Sequence, residues 1–70
     1  MSEVQSVIFD KHVWNILGAH QWLIHNHFYP IKSPHETEHF YRFRLKNPKK
    51  FRRYITKNLG NGVELIIGFK

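Results

Sequence analysis

Two stretches of strict alternation in the second half of the chain constrain its fold most. From Val63 to Phe69, the side chains of Val63, Leu65, Ile67 and Phe69 fall on one side of an extended backbone and those of Glu64, Ile66 and Gly68 on the other, because successive strand residues point to opposite faces. Leu59-Gly60-Asn61-Gly62 precedes this run with turn chemistry, since Gly and Asn tolerate positive φ. The run is therefore the second arm of a hairpin whose first arm is expected from Arg53 to Lys57. The earlier stretch, Glu38 to Leu45, sends Tyr41, Phe43 and Leu45 one way and Phe40, Arg42 and Arg44 the other. One of its faces suits a core and the other presents cations and an aromatic ring.

A further strand is expected from Val4 to Phe9, with Val7 and Phe9 on one face and Val4, Ser6 and Ile8 on the other. Both faces are partly apolar, which suits a strand inside a sheet. Asp10 can begin the turn out of it, and Asn15 or Asp10 can cap the next helix by accepting from free backbone amides. Ile16, Ala19, Trp22, Leu23 and Asn26 recur at spacings of three and four, predicting one amphipathic helix of about three turns. Trp14 is expected to staple its start or plug the core, and Gly18 to weaken its first turn. Phe28 to Thr37 holds two prolines and no periodicity, so a connecting loop is expected there. Asn47-Pro48 suits a single helical or 3₁₀ turn through Phe51. These elements predict a single α+β domain over residues 1–70: one helix on a small, mainly antiparallel sheet of three to four strands, β-α-β-β-β, in two layers.

Seventy residues lie near the lower limit for a core unaided by metal, disulfide or partner. Two Trp, three Tyr and six Phe supply large apolar area for one. The absence of cysteine excludes a disulfide framework and a thiolate metal site, and fits a reducing compartment. No apolar run approaches the roughly 20 residues that span a bilayer. MSEVQSVIF lacks the basic flank and long apolar region of a secretory signal. The expectation is an intracellular protein, neither secreted nor inserted in a membrane.

The WN-x3-A-x2-WL helix, the EHFYRFRL strand followed by P-x2-F, and the terminal ITKNLGNGVELIIGF together resemble small proteins and domains, of unassigned role, from tailed phages and large DNA viruses. The YRFR strand and the TK-x-LG-x-G hairpin carry most of that likeness, which spans roughly residues 9–69. It implies a viral setting, in the host cell or the virion, and a stand-alone small domain. No catalytic residue carries over from it.

The formal net charge is +6, and His39 to Lys57 holds eight of the eleven Lys and Arg residues and no acid. Such a run can be a solvated surface. Here Arg42 and Arg44 project with Phe40 from one strand face, which favours a polyanion partner. The leading expectation is a small non-enzymatic viral accessory or structural protein that binds DNA or RNA without strong sequence preference. Its phosphate contacts would be Arg42, Arg44, Lys46, Lys49, Lys50, Arg52, Arg53 and Lys57, with Phe40 as a stacking platform if its ring is exposed. The alternative is a protein-interaction or minor virion component whose basic face meets an acidic protein or capsid surface. Homo-oligomerisation through an exposed edge strand, with Val63 to Phe69 as the candidate, or through an aromatic surface fits either reading.

Other chemistry finds less support. Five carboxylates are scattered rather than paired, three serines lack a nucleophile motif, and Gly60-Asn61-Gly62 lacks the length and Lys-Ser/Thr ending of a phosphate-binding loop. No catalysis and no cofactor are expected. No zinc finger, helix-turn-helix or ribonucleoprotein signature is present. His20, His25, His27, His35 and His39 flank the helix end and the loop, but their spacing does not suit a metal, and exposed or partly packed histidines are expected.

Overall fold

The computed structural model describes residues 2–70. In chain order the elements are β1 (Ser2–Asp10), α1 (Ile16–His25), β2 (His35–Glu36), β3 (Phe40–Arg44), a 3₁₀ turn (Pro48–Lys50), β4 (Arg53–Asn58) and β5 (Val63–Phe69). The strands form one antiparallel sheet in the order β2-β3-β1-β5-β4. The α+β architecture is as expected, but the sheet has five strands rather than three or four. The additional strand, β2, lies in the stretch expected to be a loop. It pairs only His35 with Arg42 and Glu36 with Tyr41, and two residues after a proline are too few to register as a period.

β1 is the central strand, paired with β3 on one side and β5 on the other. Val7 and Phe9 are fully buried beneath the helix, as their alternation predicts. Val4 departs from that alternation. The register slips between Val4 and Ser6, where β1 spends one extra residue against β5. This β-bulge at Gln5 turns Val4 to the side of Val7 and Phe9, and Val4 packs against the core instead of sharing a face with Ser6 and Ile8. β5 is likewise not the exposed edge expected as a pairing surface. It is covered by β1 and β4, and the longer free edge is β4, all six of whose residues are exposed.

The helix starts at Asn15, whose side chain accepts from the Gly18 amide at 2.7 Å. A Cβ on Gly18 would lie 3.2 Å from that cap oxygen and 3.4 Å from the Trp14 ring, so the close approach suits glycine here. Ala19 and Leu23 are the buried points of the apolar stripe, and Trp22 packs beside them. Ile16 and Asn26 do not face the core: Ile16 is 38 % exposed and Asn26 caps the C-terminus, its side-chain amide donating to Trp22 O at 2.8 Å. Trp14 packs edge-on against Phe9 and donates its indole N–H to Asn61 O at 2.9 Å, tying the start of the helix to the β4–β5 turn.

Only one sheet face carries the helix. Phe51, after the 3₁₀ turn, lies on the opposite face directly over Gly68, where an added Cβ would fall 2.4 Å from the ring. Gly68→Ala is therefore expected to destabilise the fold by about 1–3 kcal/mol through overpacking. Urea unfolding would read this as a lower midpoint at unchanged slope. An unchanged midpoint would mean that Phe51 is not held there.

Asp10 ends β1 and organises the turn, its carbonyl accepting from Val13 and Trp14 and its carboxylate from the His12 amide at 2.8 Å. That backbone hydrogen bond, helped by the His12 side chain, holds the Asp10 carboxyl below its ordinary 3.8. A carboxyl whose pKa falls on folding contributes stability above its unfolded value and loses it as the pH drops through the folded one. The stability gap between wild type and Asp10→Ala should therefore shrink as the pH is lowered from about 5 to about 2. A constant gap in chemical denaturation would contradict this role.

Candidate nucleic-acid interface

Phe43 on β3 is completely buried under the helix, and strand geometry then turns its neighbours Arg42 and Arg44 to the helix-free face. Phe40 projects with them. Across β1, Phe40 stands opposite Asp10, Arg42 opposite Ile8 and Arg44 opposite Ser6. Successive residues on this row are about 7 Å apart along the strand. Phe40 is 40 % exposed, so its ring has a free surface for stacking.

The chain next crosses the sheet end as residues 46–52, carrying Lys46, Lys49, Lys50 and Arg52. Its path is anchored at both ends. Gln5 O accepts from the Leu45 and Lys46 amides at 2.8 and 3.2 Å, and Gln5 Nε2 donates to Lys46 O at 2.8 Å. At the far side the Arg52 amide donates to Phe69 O at 2.8 Å. Between them Asn47 caps the 3₁₀ turn, accepting from the Lys49 amide at 3.0 Å, and the Tyr54 hydroxyl donates to Pro48 O. Phe51, seated on Gly68, holds this crossover toward the helix-free face.

Arg53 and Lys57 stand apart from this group. They pair with Phe69 and Leu65 on the helix side of β4, and the Arg53 guanidinium lies over the Phe69 ring at 5.0 Å. Three strand spacings, about 14 Å, separate β3 from β4. The nine residues singled out from sequence thus divide into Phe40, Arg42 and Arg44 on the helix-free face of β3, the crossover cations along the chain that bridges the sheet end to β4, and Arg53 and Lys57 on the helix side of β4.

Of the eight cations only Lys46 reaches a carboxylate among the described residues, 4.0 Å from Glu3, which also lies 3.6 Å from Lys70. Three further residues join the arginines: Lys32, Ser33 and His35 line a concavity of about 250 Å³ with Arg42 and Arg44. No local pattern marks them, because their position depends on β2 pairing with β3. The other end of the face is acidic. There Asp10 and Glu64, with Ile8 and Phe40, line a second concavity of about 260 Å³.

The histidines do not converge. His12 stacks on His39 at 6.2 Å, and His20 meets Phe43 edge-on at 5.0 Å. No group of three or more His, Cys, Asp or Glu among the described residues is placed to hold a metal ion. No described helix is long and apolar enough to cross a membrane. No protein-family model, curated protein or solved structure matches this chain.

Proposed function

We propose that the helix-free face binds nucleic acid through its phosphates, without strong sequence preference, as a small viral accessory or structural protein of the kind the phage-like motifs imply. The observation that carries this reading is Arg42 and Arg44, without a carboxylate partner among the described residues, beside the exposed ring of Phe40 on one sheet face. Arg42, Arg44 and the crossover cations attract the backbone, and each phosphate neutralised releases condensed counterions. Phe40 adds a stacking surface for an unpaired base. Asp10 and Glu64 repel the backbone from the other end and so favour one orientation of the strand.

A second reading is favoured by the free edge of β4, six exposed residues with unpaired outer backbone groups and the cations Arg53 and Lys57. An acidic protein strand, or a second copy of the chain, would add to the sheet there.

Fluorescence anisotropy with labelled oligonucleotides over a salt series separates the two. Arg42→Ala with Arg44→Ala should weaken binding and reduce the slope of log K against log salt by about 1.4–1.8, the contribution of two phosphate contacts. Arg53→Ala with Lys57→Ala should leave it nearly unchanged. The reverse pattern would move the interface to β4, and no binding near physiological salt would sink the nucleic-acid reading. Phe40→Ala should cost about 1–3 kcal/mol with single strands and little with duplex. Equal losses with both would remove stacking from the mechanism.

A further inference from the structure

The concavity beside Arg42 and Arg44 is produced by a mismatch in chain length. The Ile31 amide donates to Arg44 O at 3.0 Å, and His35 pairs with Arg42. Between these two ties β3 advances two residues while the facing chain advances four. Lys32, Ser33 and Pro34 therefore bow away from the sheet, and the space they leave, about 250 Å³, is lined on the other side by Arg42 and Arg44. The polar side chains around it are Lys32, Ser33, His35, Arg42 and Arg44. All can donate hydrogen bonds, none is acidic, and no carboxylate among the described residues lies within 4.0 Å of their cationic groups.

From this we infer that the concavity formed by Lys32, Ser33, His35, Arg42 and Arg44 binds a phosphate monoester, supplied by the terminal phosphate of a nucleic-acid strand. This rests on the reading of the helix-free face as a nucleic-acid interface and names what one end of that face recognises. Charge decides between a strand end and a strand interior. An internal phosphodiester brings one negative charge, whereas a terminal monoester brings close to two and three oxygens free to accept. Two arginines and a lysine, with no carboxylate among the described residues within 4.0 Å of them, match the terminal group better. Arginine suits this task because its planar fork donates two parallel hydrogen bonds to phosphate oxygens. Ser33 and His35 supply directional donors on the opposite wall. The site lies near the β2 edge, so a strand whose end is held there runs over β3, past Phe40 or toward the crossover cations.

The test compares three versions of one single-stranded 12-mer, carrying a 5′-phosphate, a 3′-phosphate or hydroxyls at both ends, by anisotropy competition against wild type and a Lys32→Ala/His35→Gln variant. Both altered residues are exposed, and circular dichroism checks that the fold is kept. One phosphorylated end should bind wild type about tenfold more tightly than the hydroxyl-ended strand, and the ratio of the two affinities should fall to about one in the variant, whatever general loss the missing lysine causes to both strands. Equal affinity for all three strands overturns the terminal-phosphate site and leaves the face as an interface. Failure of all three to bind overturns both. A nucleoside monophosphate that competes as well as the phosphorylated strand, mole for mole, assigns the site to free nucleotides and overturns recognition of a strand end.

Discussion

Phe9 is the joint on which the two layers depend. Its ring meets Trp14, Trp22 and Phe43 edge-on, with centroids 5.4, 5.5 and 5.5 Å away, a geometry in which the positive ring edge faces the negative face of its neighbour. One residue of the central strand thus engages the start of the helix, the helix itself and the adjacent strand. A chain of seventy residues has little other interior: the buried cluster is Val7, Phe9, Ala19, Leu23, Phe43, Leu45 and Val63. With one short helix to lay down, the fold covers one face of its sheet. The other face carries Arg42 and Arg44 of β3, Ser6 and Ile8 of β1, and Glu64 and Ile66 of β5.

The bulge at Gln5 links that core to the basic crossover. Its extra residue brings a glutamine into the interior, where an unpaired amide would be costly. The cost is avoided within the chain, since Ser6 Oγ donates to Gln5 Oε1 at 2.7 Å and Gln5 Nε2 donates to Lys46 O. No buried side-chain polar atom among the described residues lacks a partner. The same contacts set where the chain leaves β3 and hence where its cations begin. Phe51 on Gly68 and Arg52 on Phe69 hold the far end. The lysines of the 3₁₀ turn are accordingly carried on a segment tied to the sheet at both ends, which limits the ordering a ligand must impose.

Charge is sorted along the helix-free face as well as concentrated on it. Arg42, Arg44 and the bowed loop occupy one region, and Asp10 and Glu64 line the other end. Exposed charges within about a Debye length of 8–10 Å still act on one another, and on a ligand, at ordinary salt. A polyanion on this surface consequently experiences a directional field. The net charge of the chain bears on whether such a ligand is attracted; the arrangement of the carboxylates bears on how it lies.

Much of this was legible in the linear chain because it depends on period and local chemistry. Alternation placed β5 and put Tyr41 and Phe43 opposite Arg42 and Arg44, Asn15 and Asn47 marked the starts of the helix and the 3₁₀ turn, and Gly60 and Gly62 occupy positive φ at the hairpin. Three features were not legible, each because it depends on pairing between distant segments. The bulge that moves Val4 to the core is a mismatch between β1 and β5, the placement of Arg53 and Lys57 follows from strand order, and β2 exists only where β3 offers an edge. The sequence by itself determined that the chain makes a helix and alternating strands with a cationic side, since side-chain direction within an element is set by backbone geometry. Tertiary structure alone decided which cations share a surface and that Lys32, Ser33 and His35 join Arg42 and Arg44, because strand order and register are properties of the assembled sheet.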